Sequence, residues 1–461
     1  VKAKFSFDDL IKVTGGKALE WPEDNSVMFS LSTDTRSISP GDVYLPLKGA
    51  NFDGHAFIKD AISKGISGFF LEKGFAEKVC QSPGIFVIEV ENTLTALLSL
   101  ASYHRKRMPA KIIAITGSSG KTTSKELISS MLSEQFNVLK SYLNYNNEIG
   151  VSKTLLDLND SHDIAVIEMG MRGPGEIDLL ARYALPDIAV IMNVGTSHIG
   201  LLGNRENIAK AKTEILNYLQ ETDGVGILYG EDGLLMKTVS EFYKAKKICF
   251  GFKKDFEVKA YGENDVTFTY KDNEYTLNIP GDHNVINATA AIEIGKLFGM
   301  NHQAIAAGLK TYRPVFGRWE VFELGNGSRL INDAYNANPD SMRAAINTVI
   351  NSFKGKEVWL ILGDMLELGT EEVKIHCELG SWLKEKEINT LITVGKLASC
   401  IADPLKDTST DIFNVSSPVE AAEKILDRKP QNAIILLKAS RSIGLEKILE
   451  VINITEKGES H

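Results

Sequence analysis

Lys111-Ile112-Ile113-Ala114-Ile115-Thr116-Gly117-Ser118-Ser119-Gly120-Lys121-Thr122-Thr123 is the stretch that decides the fold. Its apolar run, Ile112 to Ile115, has the length of a strand and no polar alternation, as a parallel strand buried on both faces requires. Beyond the glycines, Leu127, Ile128, Met131, Leu132 and Phe136 recur at three- and four-residue spacing, the period of a helix. Strand, glycine loop and helix together make a phosphate cradle. Gly117 and Gly120 let the backbone around Ser118 and Ser119 turn until its N–H groups converge on phosphate oxygens, and the helix N-terminus at Lys121 to Thr123 adds its positive dipole. Lys121 would reach the β- and γ-phosphates of ATP, and the Thr122 hydroxyl would ligate Mg²⁺. The general phosphate-loop pattern asks for glycine where Ile115 stands, so a glycine turn without nucleotide stays open at this point.

Working outward, Ile164-Ala165-Val166-Ile167 and Ile188-Ala189-Val190-Ile191 are two further buried-strand runs, which predicts a doubly wound, mostly parallel sheet. Glu168 ends the first of them. Carboxyl ends of parallel strands face the ligand crevice, so Glu168 is either a metal ligand or a solvated strand-end glutamate. His198 follows the second run and is either a ligand or structural. Between about Ile248 and Ile279 alternating residues predict a few antiparallel strands, and a helix is expected from Asn287 to Phe298.

This central unit is expected over residues 109–313. Residues 1–108 read as a small α/β unit, ending in a helix from about Thr93 to Lys106. Residues 314–461 repeat strand–helix alternation through Leu330–Asn332, Val358–Leu362, Leu391–Val394 and Ala433–Leu437, which predicts a Rossmann-like unit. The fold class is therefore α/β in three domains, and 461 residues suit that number. The tail from Glu456 to His461 is polar.

With 51 Lys and Arg against 60 Asp and Glu, the net charge of −9 disfavours nucleic acid as a partner. Cys80, Cys249, Cys377 and Cys400 show no C-x-x-C spacing, which argues against a disulfide framework or zinc site and for a cytoplasmic protein. No apolar run has bilayer length, and Val1 to Asp9 has no apolar core of a signal peptide, so no membrane insertion is expected.

Five segments in this order carry a resemblance: residues 116–123, Asn144-Tyr145-Asn146-Asn147-Glu148-Ile149-Gly150, Glu168-Met169-Gly170, Asn193-Val194-Gly195 with His198, and His283-Asn284-Val285-Ile286-Asn287. The chain resembles the Mur ligases, ATP-dependent amide-forming enzymes that assemble the peptide of bacterial cell-wall precursors. The family's own loop is Thr-Gly-x-x-Gly-Lys-Thr/Ser, which accommodates Ile115. Asp333-Ala334-Tyr335-Asn336-Ala337-Asn338-Pro339, Gly363 to Gly369 and Lys438-Ala439-Ser440-Arg441-Ser442 point within the family to the branch that joins D-alanyl-D-alanine to UDP-N-acetylmuramoyl-tripeptide. Ala439 departs from the glycine usual there.

The resemblance implies roles position by position. Glu168 and His198 would join Thr122 as Mg²⁺ ligands, and Lys121 would grip ATP. Lys212 matches a position where sister ligases carry a carbamylated lysine; an ordinary helix lysine is the alternative. Asn287, and less decisively Asn284, would contact adenine, Arg318 a phosphate, and Asp333 the ribose. Thr33, Asp34, Thr35 and Arg36, with Gly49, Asp53 and His55, resemble loops that bind the uridine diphosphate; from the residues alone they are surface turns. Asn146, Asn147 and Arg172 would touch the tripeptide or metal shell. Tyr335, Asn336, Asn338, Lys438 and Arg441 would line the dipeptide side, with solvated basic residues the alternative for the last two. A monomer is expected. No general base is evident, and the third residue of the tripeptide, lysine or meso-diaminopimelate, stays open. Another ligase of the superfamily and a non-catalytic nucleotide switch remain rivals.

Overall fold

The computed structural model describes residues 3–49, 52–75, 84–219, 223–244 and 246–453. Ala50 and Asn51, Cys80 and the tail from Glu456 lie outside them.

The quoted stretch forms strand Lys111–Thr116, a loop, and helix Lys121–Leu132. That strand lies inside a wholly parallel six-stranded sheet, with Ile164–Glu168 and then Val138–Lys140 on one side, and Ile188–Ile191, Val225–Tyr229 and Lys247–Phe250 on the other. Successive side chains of a strand point to opposite faces, and both faces here are apolar. Ile113, Ile115, Val166 and Val190 enter a core shared with helix Asp282–Leu297 and the C-terminal residues. Ile112, Ala114, Ala165, Ile167, Ala189 and Ile191 enter a second core shared with Phe5, Phe7 and helix Thr93–Arg107. The central sheet is thus the partition on which the N-terminal and C-terminal residues are mounted.

The N-terminal sheet is six-stranded and mixed: Met28–Ser32, Val43–Tyr44, Gly68–Glu72 and Phe86–Val90 are parallel, with antiparallel edges Lys4–Ser6 and Lys17–Glu20. The C-terminal sheet runs Glu320–Glu323, Arg329–Asn332, Ala433–Lys438, Glu357–Gly363, Thr390–Val394, Asp411–Val415, parallel except at its first pair.

Two expectations need correction. The alternating stretch predicted to begin near Ile248 is split: Lys247–Phe250 completes the parallel central sheet, and the three antiparallel strands start only at Phe256. The helix expected from Asn287 begins at Asp282, because Gly281 at φ 105 turns the chain out of the preceding strand and straight into helix. Asn284 and Asn287 therefore lie inside its first turns, and neither caps it.

A buried ionic cluster ties helix Thr93–Arg107 to the central sheet. Asp187 accepts from Arg105 Nη2 and the Ile112 N–H, both at 2.8 Å, and from Lys111 Nζ at 2.9 Å. Arg105 and Asp187 are each buried. Breaking such a pair strands a buried charge, so Asp187→Ala is expected to destabilise the protein by about 3–5 kcal/mol. Urea denaturation checks this; an unchanged midpoint would mean that Arg105 finds solvent instead.

Candidate active site

The loop between Thr116 and Lys121 rests on one side chain from the neighbouring strand end. Asn193 Oδ1 accepts the N–H groups of Ser118 and Ser119, each at 3.0 Å, and its Nδ2 donates to the Ser119 carbonyl at 3.1 Å. Gly120 stands at φ 79, and a β-carbon there would lie 2.8 Å from Asn287 Oδ1. Only glycine fits both the conformation and the space. Lys121 folds back over the loop, Nζ to the Gly117 carbonyl at 2.8 Å. Burial, with Arg318 nearby, pushes its ammonium below the ordinary lysine range, while Glu168 opposes the shift.

Glu168 is buried, not solvated, which excludes the strand-end alternative. Its two oxygens accept from Thr122 Oγ1 and Asn146 Nδ2, both at 2.8 Å. A hydroxyl and a carboxylate side by side are hard oxygen donors that suit Mg²⁺, which keeps much of its shell from water and phosphate. Among the described residues no group of three or more His, Cys, Asp or Glu side chains is placed to hold a metal alone.

His198, in the left-handed region at φ 64, brings Nδ1 to 2.5 Å from Glu367 Oε2, a close ionic contact rather than a well-aligned hydrogen bond. Burial depresses its pKa, Glu367 opposes this, and Lys121 and Lys212 add to it. Lys212, 1% exposed, has no ion-pair partner among the described residues. Burial and then Lys121 push its pKa well below the ordinary lysine value. An unpaired buried ammonium is costly, which moves the balance toward the neutral amine.

Two cavities meet at this loop. One, of about 780 Å³, is bounded by the phosphate loop, Asn144 to Gly150, Glu168, Arg172, His198, Lys212 and the wall Tyr335 to Asn338. The other, of about 620 Å³, holds His283, Asn284, Asn287, Trp319, Asp333 and Lys438. Ser119, Gly120 and Arg318 line both. Burial lowers the His283 pKa to about 4. Arg318 lies with Cζ 4.6 Å above the Tyr335 ring, and its Nε is buried without a partner, a donor left over for an anion.

Several expected residues stand elsewhere or are already engaged. Lys438, expected on the dipeptide side, is 1% exposed, faces the second cavity and is paired with Asp333 at 2.6 Å, so it is no solvated lysine. Arg441 lines neither cavity; it pairs with Glu446 at 2.7 Å and lies over Phe316 and Tyr335. Asn147 Oδ1 caps helix Glu148–Leu156. Asn336 lines the first cavity and gives its carbonyl to Lys438. Asn284 Nδ2 donates to the Pro280 carbonyl.

Of the turns near the N-terminus, Thr33 and Asp34 line a third cavity of about 200 Å³ with Tyr142, Tyr145 and Lys153. Arg36 is exposed and bound to Asp34, whose carboxyl it holds down at about 2. Thr35 is buried, its carbonyl taken by Lys64. Gly49 sits in the short hairpin Lys48–Gly49 with Phe52–Asp53. His55 is spent inside the fold, with Nδ1 2.7 Å from Asp53 Oδ1 and Nε2 accepting the Glu72 N–H. Sequence reasoning missed Asn193 as the support of the loop, and Ser197, Glu367 and Lys153 altogether. Asn193 had a signal, as a polar residue just past a buried strand; the others owe their place to contacts across the fold.

Three family models match the chain: the Mur ligase middle domain over residues 115–295, the Mur ligase glutamate ligase domain over 317–441, and the Mur ligase family catalytic domain over 29–105. Among curated relatives, the UDP-N-acetylmuramoyl-tripeptide–D-alanyl-D-alanine ligase of Bacillus subtilis (strain 168) is 39% identical over 434 residues, covering 93% of both chains. That of Escherichia coli (strain K12) is 32% identical, covering 92% of this chain and 93% of its own. A crystal structure of MurF from Acinetobacter baumannii superposes with a TM-score of 0.87 at 29% identity, covering 98% of this chain and all of that one. The MurF ligase of Thermotoga maritima in complex with ADP gives a TM-score of 0.81 at 28% identity over 92% of this chain and 97% of its own. No helix among the described residues is long and apolar enough to cross a membrane. The chain belongs to the Mur ligase family, and within it groups with the UDP-N-acetylmuramoyl-tripeptide–D-alanyl-D-alanine ligases.

Proposed function

We propose that the protein joins D-alanyl-D-alanine to UDP-N-acetylmuramoyl-tripeptide at the expense of ATP, giving the pentapeptide precursor, ADP and phosphate. The observation that carries this is the pair of cavities meeting at the phosphate loop, with the Tyr335–Asn338 wall facing the loop across the first of them. A carboxylate does not condense with an amine unaided, because the departing oxide is a poor leaving group. Transfer of the γ-phosphoryl group to the tripeptide carboxylate gives an acyl phosphate and ADP. The dipeptide amine then attacks the carbonyl carbon, the carbon–oxygen bond to phosphate breaks, and the amine's proton leaves to the medium.

The protein's contribution is positioning and charge. The N–H groups around Ser118 to Thr123 and the Lys121 ammonium receive the phosphates, Lys121 leaving the Gly117 carbonyl to do so. Asn287, the Asp333 carboxylate and Arg318 bound the nucleoside and its phosphates in the second cavity. Thr122 and Glu168, with His198, would hold Mg²⁺, which would supply positive charge against the transferring phosphoryl group. Asn146 keeps Glu168 in place, and Arg172 faces the tripeptide end. Thr33 and Asp34 place the uridine end beside Lys153 and Tyr145, which line both the third and the first cavity. Residues 1–108 thus serve the nucleotide sugar, 109–313 the phosphates, and 314–461 the nucleoside and the dipeptide, with closure excluding water from the acyl phosphate.

Lys212 would become a carbamate in this scheme: its amine nitrogen bonds to the carbon of CO₂, one C=O electron pair moves onto oxygen, and a proton leaves the nitrogen to solvent, so that a carboxylate-like group would stand where an ammonium stood.

Two measurements test this reading. Phosphate release in the presence of ATP, Mg²⁺ and UDP-N-acetylmuramoyl-tripeptide is expected to depend on D-alanyl-D-alanine, and not on glutamate or a diamino acid. Release that ignores every acceptor would leave only a nucleotide switch. For the carbamate, Lys212→Ala is expected to lose at least about 100-fold in kcat and to regain part of it with a short-chain carboxylate. No rescue by any such carboxylate, together with a wild type indifferent to removal of CO₂ and bicarbonate, would sink the assignment.

A further inference from the structure

The segment that leaves strand Ile188–Ile191 is gripped from two sides. On one side lies the phosphate loop. Ser118 Oγ accepts the Gly195 N–H at 2.9 Å, and the Ser118 carbonyl accepts from Ser197 Oγ at 3.0 Å. On the other side lie residues of the C-terminal sheet and its helices. Asn338 Nδ2 donates to Ser197 Oγ at 2.6 Å, and the Gly200 N–H donates to the Glu367 carbonyl at 3.2 Å. Two glycines permit this approach. A β-carbon on Gly195 would lie 2.6 Å from Asp340 Oδ2, and one on Gly200 would lie 2.6 Å from the Gly369 nitrogen.

Asn338 was expected to bind the dipeptide, yet both ends of its amide are engaged within the protein. Oδ1 caps helix Pro339–Ser352 by accepting the Ser341 N–H at 2.8 Å, and Nδ2 donates one of its two hydrogens to Ser197. Asn338 and Ser197 are 7% and 8% exposed, so water does not compete well for the bond between them.

We propose that Ser197 is a positioning residue that transmits docking of the C-terminal residues to the phosphate loop, through the chain Asn338 Nδ2, Ser197 Oγ, Ser118 carbonyl. The chemistry of a hydroxyl makes the link directional. With a lone pair occupied by Asn338, the single hydroxyl proton is turned toward Ser118. The Ser118 carbonyl and the Ser119 N–H belong to one planar peptide unit. Ser197 holds its oxygen and Asn193 Oδ1 its N–H, so the plane is fixed at both edges. Chained hydrogen bonds out of water polarise and strengthen one another. When Asn338 withdraws with the C-terminal residues, the hydroxyl is free to turn away and that edge of the loop loosens. Nucleotide affinity and closure are then coupled, and by linkage each favours the other. The inference rests on the ligase reading for its effect on kcat, but not for its effect on nucleotide binding.

The test is a double-mutant cycle on the full-length protein with Asn338→Ser and Ser197→Ala. Serine is as good a helix cap as asparagine, so the first variant keeps its helix and removes only the reach to Ser197. ADP affinity is measured by calorimetry, kcat by acceptor-dependent phosphate release, and folding by thermal melting. Each single substitution is expected to weaken ADP binding and lower kcat by about tenfold, with the double variant no worse than either single. The Asn338→Ser melting midpoint is expected to stay at the wild-type value. Independent losses that multiply to about a hundredfold in the double variant would overturn the link. So would ADP affinity unchanged in Asn338→Ser, or a lowered midpoint with kcat per folded molecule intact, since either is what a purely structural cap gives. If the wild type releases no phosphate with D-alanyl-D-alanine, the ligase reading fails, and the ADP cycle still decides the link.

Discussion

Asn193 carries more of this molecule than any residue that would touch a substrate. Its one amide group receives two consecutive N–H groups of the phosphate loop and returns a donor to the same loop. It can do so because strands Lys111–Thr116 and Ile188–Ile191 are parallel neighbours whose carboxyl ends finish at the same level. Parallel pairing therefore brings the glycine loop, Glu168 and His198 to one edge of the sheet, although Gly117 and His198 are 81 positions apart along the chain. The two cores on either face hold that edge between the N-terminal and C-terminal residues.

Basic side chains gather at the site although the molecule is acidic overall. The chain carries a net −9, yet Lys121, Lys212, Arg318 and Lys438 all line the two cavities. Among the described residues, Lys438 pairs with a close carboxylate and the other three form no ion pair. Burial depresses the pKa of Lys121, Lys212 and Lys438 in turn. Carboxylates such as Glu168, Glu176, Asp232 and Asp340 line the same cavities, so local pairing and burial set what each basic group can offer. Whole-chain charge argues about nucleic acid as a partner; it carries no information about a crevice screened from the rest of the surface.

Legibility in the sequence followed the range of the interactions concerned. Ile188–Ile191 was readable to the residue, and Lys111–Thr116 to within one residue at each end, because their apolar pattern is local. Lys247–Phe250 was assigned to the wrong sheet. Four residues cannot declare which neighbour they pair with, and the strand is an edge whose partner, Val225–Tyr229, comes from the preceding segment. The start of helix Asp282–Leu297 was misplaced because Gly281, which turns the chain, leaves no hydrophobic signature. At the site, the placing of Gly120, Lys121 and Thr122 between strand and helix, and of Glu168 at a strand end, was legible because each follows from a local motif. Asn338, Lys438 and Arg441 were placed on the dipeptide by resemblance, and their actual partners are Ser197, Asp333 and Glu446.

By itself the sequence determined the α/β class, the strand, glycine loop and helix at the site, and the kinds of side chain available for the chemistry. These depend on periodicity and on spacing within a few residues, which a linear reading contains. The tertiary structure alone decided that Glu168 is buried against Thr122 and Asn146, that Lys212 has no carboxylate partner, and that Asn338 is bound to Ser197 across 141 positions. Burial and pairing arise only when segments distant in the chain exclude water from one another, and that is where a residue's protonation, partner and role are settled.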